Sequence, residues 1–190
     1  DALMKMLPGM TDNPRTLALY ERNVADMCKA AASVGCKVQL CTLSGNKRFM
    51  GVVATQHSDD TGASINGVLR KLATAHPNAH LLDVAGMIAS HSEDGLPGYD
   101  FFVDNVHFNF DGNYLAASAM FQTLHALRQD SQAPLSKDGC AERLAWTPAA
   151  EYDLLGWQMQ AFLDDYSRER VQRRHDELAA SIGENGQEQL

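Results

Sequence analysis

The chain has 190 residues and a formal net charge of −8, which argues against a general nucleic-acid binder, and no Lys/Arg cluster forms a phosphate-binding stripe. Hydrophobic content of 45% and charged content of 21% suit one globular domain with a sizeable core and room for an appendage. No apolar run approaches the roughly 18 residues of a membrane span, and the four cysteines (Cys28, Cys36, Cys41, Cys140) form neither a Cys-x-x-Cys pair nor a zinc spacing.

Residues 1–13, with Pro8-Gly9 and Asp12-Asn13-Pro14, read as a loop or the frayed tail of something upstream, and Asp1 in first place predicts a processed, cropped or partial chain. From Thr16 the apolar positions Leu17, Tyr20, Val24, Met27, Cys28, Ala31 and Val34 keep helical spacing. Gly35 ends that run as a C-terminal glycine does. Cys36–Leu43 is a short β-type run ending at Ser44-Gly45-Asn46. Helix, glycine, strand and polar loop make one unit of an α/β sheet, and open sheets of that kind bind ligands at the strands' carboxyl ends. Cys28 and Cys41 fit as small buried hydrophobes, a usage compatible with a reducing, cytoplasmic compartment.

Residues 45–60 are irregular and polar. A second helix is predicted over Thr61–His76, with Ile65, Val68, Leu69 and Leu72 on its apolar face, and Ala79–Ala85 reads as a second strand. Residues 88–98 are loop-like. The stretch Tyr99–Met120 then brings an apolar run, Phe101–Val103, to Asp104 and, three positions later, His107. A turn through Asn109 and Asp111-Gly112 opens a helix predicted to reach Arg128. A carboxylate three positions before an imidazole can fix the ring's tautomer and stabilise the imidazolium, as the acid and base of a serine-type triad require.

Composition shifts after Gln129. Residues 130–139 read as a linker, 140–145 as a short helical turn, and Thr147-Pro148 as an N-cap with a first-turn proline. Helical segments run to about Ile182 with Leu154, Leu155, Trp157, Met159, Phe162 and Leu163 as apolar surface, and residues 183–190 form a disordered tail. The expected division is thus a partial α/β domain over 1–129, a linker over 130–139 and a helical extension over 140–182.

Other constellations are weaker. Asp-x-x-His with His91 lacks a third ligand at metal spacing, so neither metal nor cofactor is expected. Ser44-Gly45-Asn46-Lys47 matches Ser-x-x-Lys without the companion motifs of that enzyme class, and reads as a strand-end turn. A Gly-x-Ser-x-Gly elbow is absent, because Thr42 stands where its first glycine would be. His57, His76, His80, His125 and His175 have no partner pattern, and Trp146 and Trp157 read as core or interface anchors.

Three places resemble the SGNH (GDSL-type) hydrolases, and more narrowly the bacterial subgroup joined to tetratricopeptide repeats. Phe102–Ala116 is similar to that family's last block, Asp-x-x-His followed by a Gly-Asn-Tyr-Leu helix start. Tyr20-Glu21-Arg22-Asn23 with Val38–Asn46 resembles its penultimate helix–strand unit, and Cys140–Ala145 resembles its link to the repeats. The resemblance implies a flavodoxin-like three-layer α/β/α fold and hydrolysis of a small-molecule, glycan or lipid ester. A serine would attack the carbonyl, His107 would serve as general base and then acid, and Asp104 would orient His107. The family's nucleophile, glycine and Gly-x-Asn blocks are not found in residues 1–190, so the resemblance places the serine upstream and leaves the chain catalytically incomplete. Two predicted strands, against about five in a usual sheet, carry the same expectation of strands upstream of Asp1. The competing expectation is a non-catalytic binding or scaffold module that engages a protein partner through its C-terminal helices.

Overall fold

The computed structural model describes residues 14–48, 56–128, 133–160 and 165–187. The first helix, α1, runs Pro14–Ser33 and stops where glycine permits a left-handed turn: Gly35 has φ of 72°. The Cys36 N–H there donates to the Ala31 carbonyl at 2.9 Å, which satisfies an otherwise orphaned helix-end acceptor. Strand β1, Val38–Cys41, pairs in parallel with β2, Ala79–Leu82, in the register Val38↔Ala79 to Cys41↔Leu82. Helix α2, Gln56–Ala75, joins them, so this is a single βαβ unit.

The described residues fall into two compact units, one holding 14–44 and 56–87, the other 45–48 and 88 onward. The core of the first is Cys28, Leu40, Val68, Leu69, Leu72 and Ala79, with Tyr20, Val24 and Ile65 packed around it. The helical spacing read in the sequence therefore finds most of the face that α1 and α2 bury, although Met27 and Val34 of that set are 66% and 73% exposed. Burial pushes the Cys28 and Cys41 thiols up, as their apolar settings require.

The second unit is helical. Helix α3, Val84–His91, carries the chain into it; α4 is Phe110–Arg128, α5 Lys137–Arg143, α6 Pro148–Gln158 and α7 Asp165–Gln187. Its core joins Tyr99 to Leu155, Val171 and Leu178 of α6 and α7, with Tyr152 and Met159 against them. Thr147 caps α6 through its hydroxyl, which accepts from the Ala150 N–H, and Pro148 occupies the first turn. The extension is bound to α4 by a Lys137–Asp111 ion pair at 2.6 Å, by stacking of Phe110 on Trp146, and by the Tyr114 hydroxyl donating to the Leu135 carbonyl.

The expected three-layer α/β/α flavodoxin-like fold is not what forms. The chain is mostly helical, with seven α-helices and one two-stranded parallel sheet among the described residues. Two strands of four residues cannot supply a middle layer that helices cover on both faces. The apolar run Phe101–Val103 adds no strand; Phe102 makes an isolated antiparallel bridge with Phe108 inside its own loop.

Smaller differences have local causes. Residues 84–91 form α3 rather than the end of a strand and a loop, because Asp83 caps a helix there: its carboxylate accepts from the Gly86 N–H at 3.2 Å. Helix α2 begins five residues ahead of Thr61, α5 begins inside the expected linker at Lys137, and α7 continues through Gly183 to Gln187. The readings for residues 1–13, 49–55, 129–132, 162, 163 and 188–190 lie outside the described residues.

At the end of α5, Ala145 sits in the left-handed region at φ 52° while the Trp146 N–H closes the turn onto the Ala141 carbonyl. Glycine is the residue that accepts this position without strain. Ala145→Gly should therefore raise the free energy of unfolding by roughly 0.5–1 kcal/mol, the relieved strain outweighing the freer unfolded chain. Urea denaturation measures it; an unchanged or lower value would show that the turn carries no strain.

Candidate functional site

The loop between Tyr99 and Phe110 is closed on itself before any side chain is considered. The Val103 N–H donates to the His107 carbonyl at 2.8 Å, and the Asn109 N–H donates to the Phe101 carbonyl at 3.0 Å. Phe102, fully buried, packs on Phe108 with ring centroids 4.9 Å apart. Asn109 then locks the exit. Its side-chain amide donates to the carbonyls of Tyr99 and Asp100, and its side-chain oxygen accepts from the Gly112 N–H at the start of α4. A Cβ at Gly112 would collide with the Phe101 carbonyl, so this turn of the Asp-Gly-Asn helix start needs its glycine for close approach.

The structure brings Asp104 and His107 together. The Asp104 Oδ2 lies 2.8 Å from the His107 Nδ1, and its Oδ1 accepts from the backbone N–H groups of Val106 and His107 at 2.9 and 2.8 Å. Desolvation raises the Asp104 pKa, but those two N–H bonds, the imidazole bond and its charge together leave it below the usual carboxylate value. An ionised carboxylate only accepts, so the Nδ1 carries the proton and the neutral ring presents its lone pair at Nε2. The His107 side chain is 76% exposed and that of Asp104 27%. Asp104 is thus the seated member and His107 the presented one, the arrangement in which a ring can take a proton at Nε2 while its far side is held.

Two side-chain amides that the sequence reading did not assign hold the loop in place. Buried Asn46 donates from its Nδ2 to the Asp104 carbonyl at 3.0 Å, and its own N–H donates to the Asn105 carbonyl at 2.9 Å. In the sequence Asn46 stands only as the end of the turn after the first β-type run. Gln158, at the end of α6, donates to the Phe102 and Val103 carbonyls at 2.9 and 3.2 Å. No sequence signal points to Gln158, since a glutamine at a helix end has no motif.

Elsewhere, the Ser44-x-x-Lys47 pattern straddles the division between the two units, and the Lys47 N–H donates to the Pro97 carbonyl. His91 ends α3, with its Nδ1 3.3 Å from the Ser90 hydroxyl. Among the described residues no group of three His, Cys, Asp or Glu side chains has metal-holding geometry. The first unit holds a polar cluster missed in the sequence: the Thr42 hydroxyl, almost fully buried, donates to Asp83 at 2.8 Å and accepts from the Ala85 N–H, while Arg70 pairs with the same carboxylate. Desolvation raises the Asp83 pKa, and the bonds from Thr42, Arg70 and the Gly86 N–H outweigh it and lower it. The Ala85 and Gly86 N–H groups taken by Thr42 and Asp83 open α3, so the cluster caps that helix.

A cleft of about 920 Å3 opens in the second unit, with Tyr99, Phe110, Trp146, Leu155, Gln158 and Arg170 among its lining residues. Neither Asp104 nor His107 lines it. Its charges largely neutralise one another, as in the pairs of Arg174 with Glu151 and of Arg170 with Glu93 and Asp100. The size of the cleft therefore does not decide where any chemistry lies.

No protein-family model, curated protein or solved structure matched the chain in comparison.

Asp104→Asn keeps the side chain's shape and removes the charge that three N–H donors share. It should lower stability by about 1–3 kcal/mol at neutral pH, towards the lower figure given partial exposure. A carboxylate whose folded pKa is depressed stabilises the fold above its unfolded value near 3.9 and loses that contribution as pH falls through the folded value. The gap between wild type and Asp104→Asn should therefore close in acid. Denaturation curves measured from neutral pH downward that keep a constant gap would overturn the assignment.

Proposed function

We propose that Asp104 and His107 form the proton-handling pair of a serine-type acyl hydrolase acting on ester bonds. The observation that carries this is the three-way seating of the Asp104 carboxylate, which pins the His107 Nδ1 and leaves its Nε2 outward. In the proposed reaction the Nε2 takes the proton of an attacking serine hydroxyl as the C–O bond forms. It then returns that proton to the leaving alkoxide, while Asp104 stabilises the imidazolium without itself becoming protonated. The likeness of Phe102–Ala116 to the SGNH family's last block supports the same reading. The reading assigns no nucleophile and no oxyanion donor within the described residues.

Hydrolysis of short acyl p-nitrophenyl esters by a full polypeptide that contains these residues together with the serine proposed upstream of them tests it. Wild-type turnover should fall by about 10³-fold or more in His107→Ala, and by a comparable factor in Asp104→Asn through the wrong tautomer. The 190-residue chain alone should stay at background. Turnover by the full polypeptide that ignores His107→Ala, or no turnover across a panel of acyl lengths, would sink the proposal. Turnover by the 190-residue chain that His107→Ala abolishes would relocate the nucleophile within it, with Ser44 the first candidate.

One observation favours the second reading, a non-catalytic module with a protein partner at its helical end. Leu144 and Trp157, both on the extension, expose 71% and 53% of their surface. Under that reading both variants leave all activities unchanged, and Trp157→Ala alone has a binding phenotype.

A further inference from the structure

Three consecutive carbonyls lead into the Asp104–His107 pair, those of Phe102, Val103 and Asp104. Each is taken by a side-chain amide: Gln158 at 2.9 and 3.2 Å for the first two, Asn46 at 3.0 Å for the third. A primary amide nitrogen has two N–H donors, and Gln158 spends both on this one segment. Its side chain is among the most deeply buried in the molecule, with only 1% of the residue exposed. A buried amide that lost these acceptors would be left with orphaned donors, as would the two carbonyls with no donor.

The mechanical consequence follows from the peptide plane. The Val103 carbonyl and the Asp104 N–H belong to one rigid unit, so the bond from Gln158 to Val103 fixes the orientation from which the Asp104 side chain departs. The other face of the Val103 residue is held by its N–H on the His107 carbonyl. Asp104 can meet the His107 Nδ1 and two backbone N–H groups at once only while that frame stays put. Arg170 of α7 reinforces it from a second point, pairing with Asp100 at 2.8 Å and with Glu93.

We propose that Gln158 is a positioning residue for the Asp104–His107 pair, so that the helical extension is part of the proton-handling site rather than an appendage to it. This rests on the reading of that pair as the acid–base element. Gln158 touches no reacting atom; it acts through the backbone of Phe102 and Val103. Gln158 also lines the cleft of the second unit.

The test is the tautomer of neutral His107, read from its imidazole ¹⁵N shifts in the 190-residue chain. Wild type should be mainly the Nδ1–H form. Gln158→Met keeps the bulk and removes both donors, and a ring released from its partner relaxes toward Nε2–H. The ratio of Nδ1–H to Nε2–H should fall by roughly threefold or more. Leu178→Ala, in the same core but away from the loop, controls for general destabilisation and should leave the ratio unchanged. A wild-type spectrum dominated by Nε2–H overturns the reading of the pair itself. A wild-type Nδ1–H spectrum with the same ratio in Gln158→Met, or an equal fall in Leu178→Ala, leaves the pair standing and overturns the role of Gln158. Should Gln158→Met fail to fold, Gln158→Asn, which keeps the donors but falls one methylene short, is read in the same way. Failure of both to fold would make Gln158 a structural residue and overturn the proposal as well.

Discussion

Everything at the candidate site depends on how the backbone of Phe102, Val103 and Asp104 satisfies its carbonyls. In a sheet, neighbouring strands would accept and donate along this segment. Here the segment has only the Phe102↔Phe108 bridge, and side-chain amides from Asn46 and Gln158 take the place of a strand. Each carbonyl left without a donor would cost about 1–3 kcal/mol, so the loop is held by a few strong and separable bonds instead of a cooperative ladder. A loop held in that way can keep a polar pair at the surface in one geometry, which a frayed strand end cannot.

The magnitudes also separate what builds the loop from what the loop is for. An ion pair with one partner largely in water contributes about 0–1 kcal/mol to stability, and the His107 ring is mostly exposed. The bonds from Asp104 to the Val106 and His107 N–H groups are charge-assisted and more valuable, at about 1.5–3 kcal/mol each before solvent exposure is counted. Removing the imidazole would therefore cost the turn little, whereas removing the carboxylate would cost it more. A ring that contributes little to the fold, yet is held at a defined nitrogen, fits a chemical task better than a structural one.

Much of the local structure was legible in the sequence. Gly35 ends α1, Thr147-Pro148 starts α6, and the spacing of Asp104 and His107 puts the two side chains in contact, because each depends on chemistry within a few residues. The start of α3 was legible in principle, since Asp83 with Gly86 three positions on is an N-cap pattern. The apolar residues around it masked that signal, because a short apolar run does not distinguish strand from buried helix. The sheet was a different kind of error. Two strands and the helix between them are legible, with different bounds, but the expected three-layer fold extends a local βαβ pattern that does not specify how many strands surround it. Gln158 could not be read at all: its acceptors lie 55 and 56 positions away in the chain, and only tertiary packing brings them together.

That last separation changes how the helical extension is understood. By composition, residues 130–139 part the chain into a catalytic-looking half and an attached helical half. By contacts, the Asp104–His107 loop, α6 and α7 share one compact unit and one core, in which Tyr99 packs with Leu155, Val171 and Leu178. Coupling between elements needs a continuous path of packed or bonded groups, and here the path is short. The α6 end reaches the Val103 peptide through Gln158, the Val103–Asp104 peptide bond carries that constraint on, and Asp104 passes it to the imidazole. The same path runs in reverse, so anything that fixes the ring in a bound state also favours one seating of α6. The pair and the extension are therefore one device, and the composition break between them marks a change in surface rather than a boundary of function.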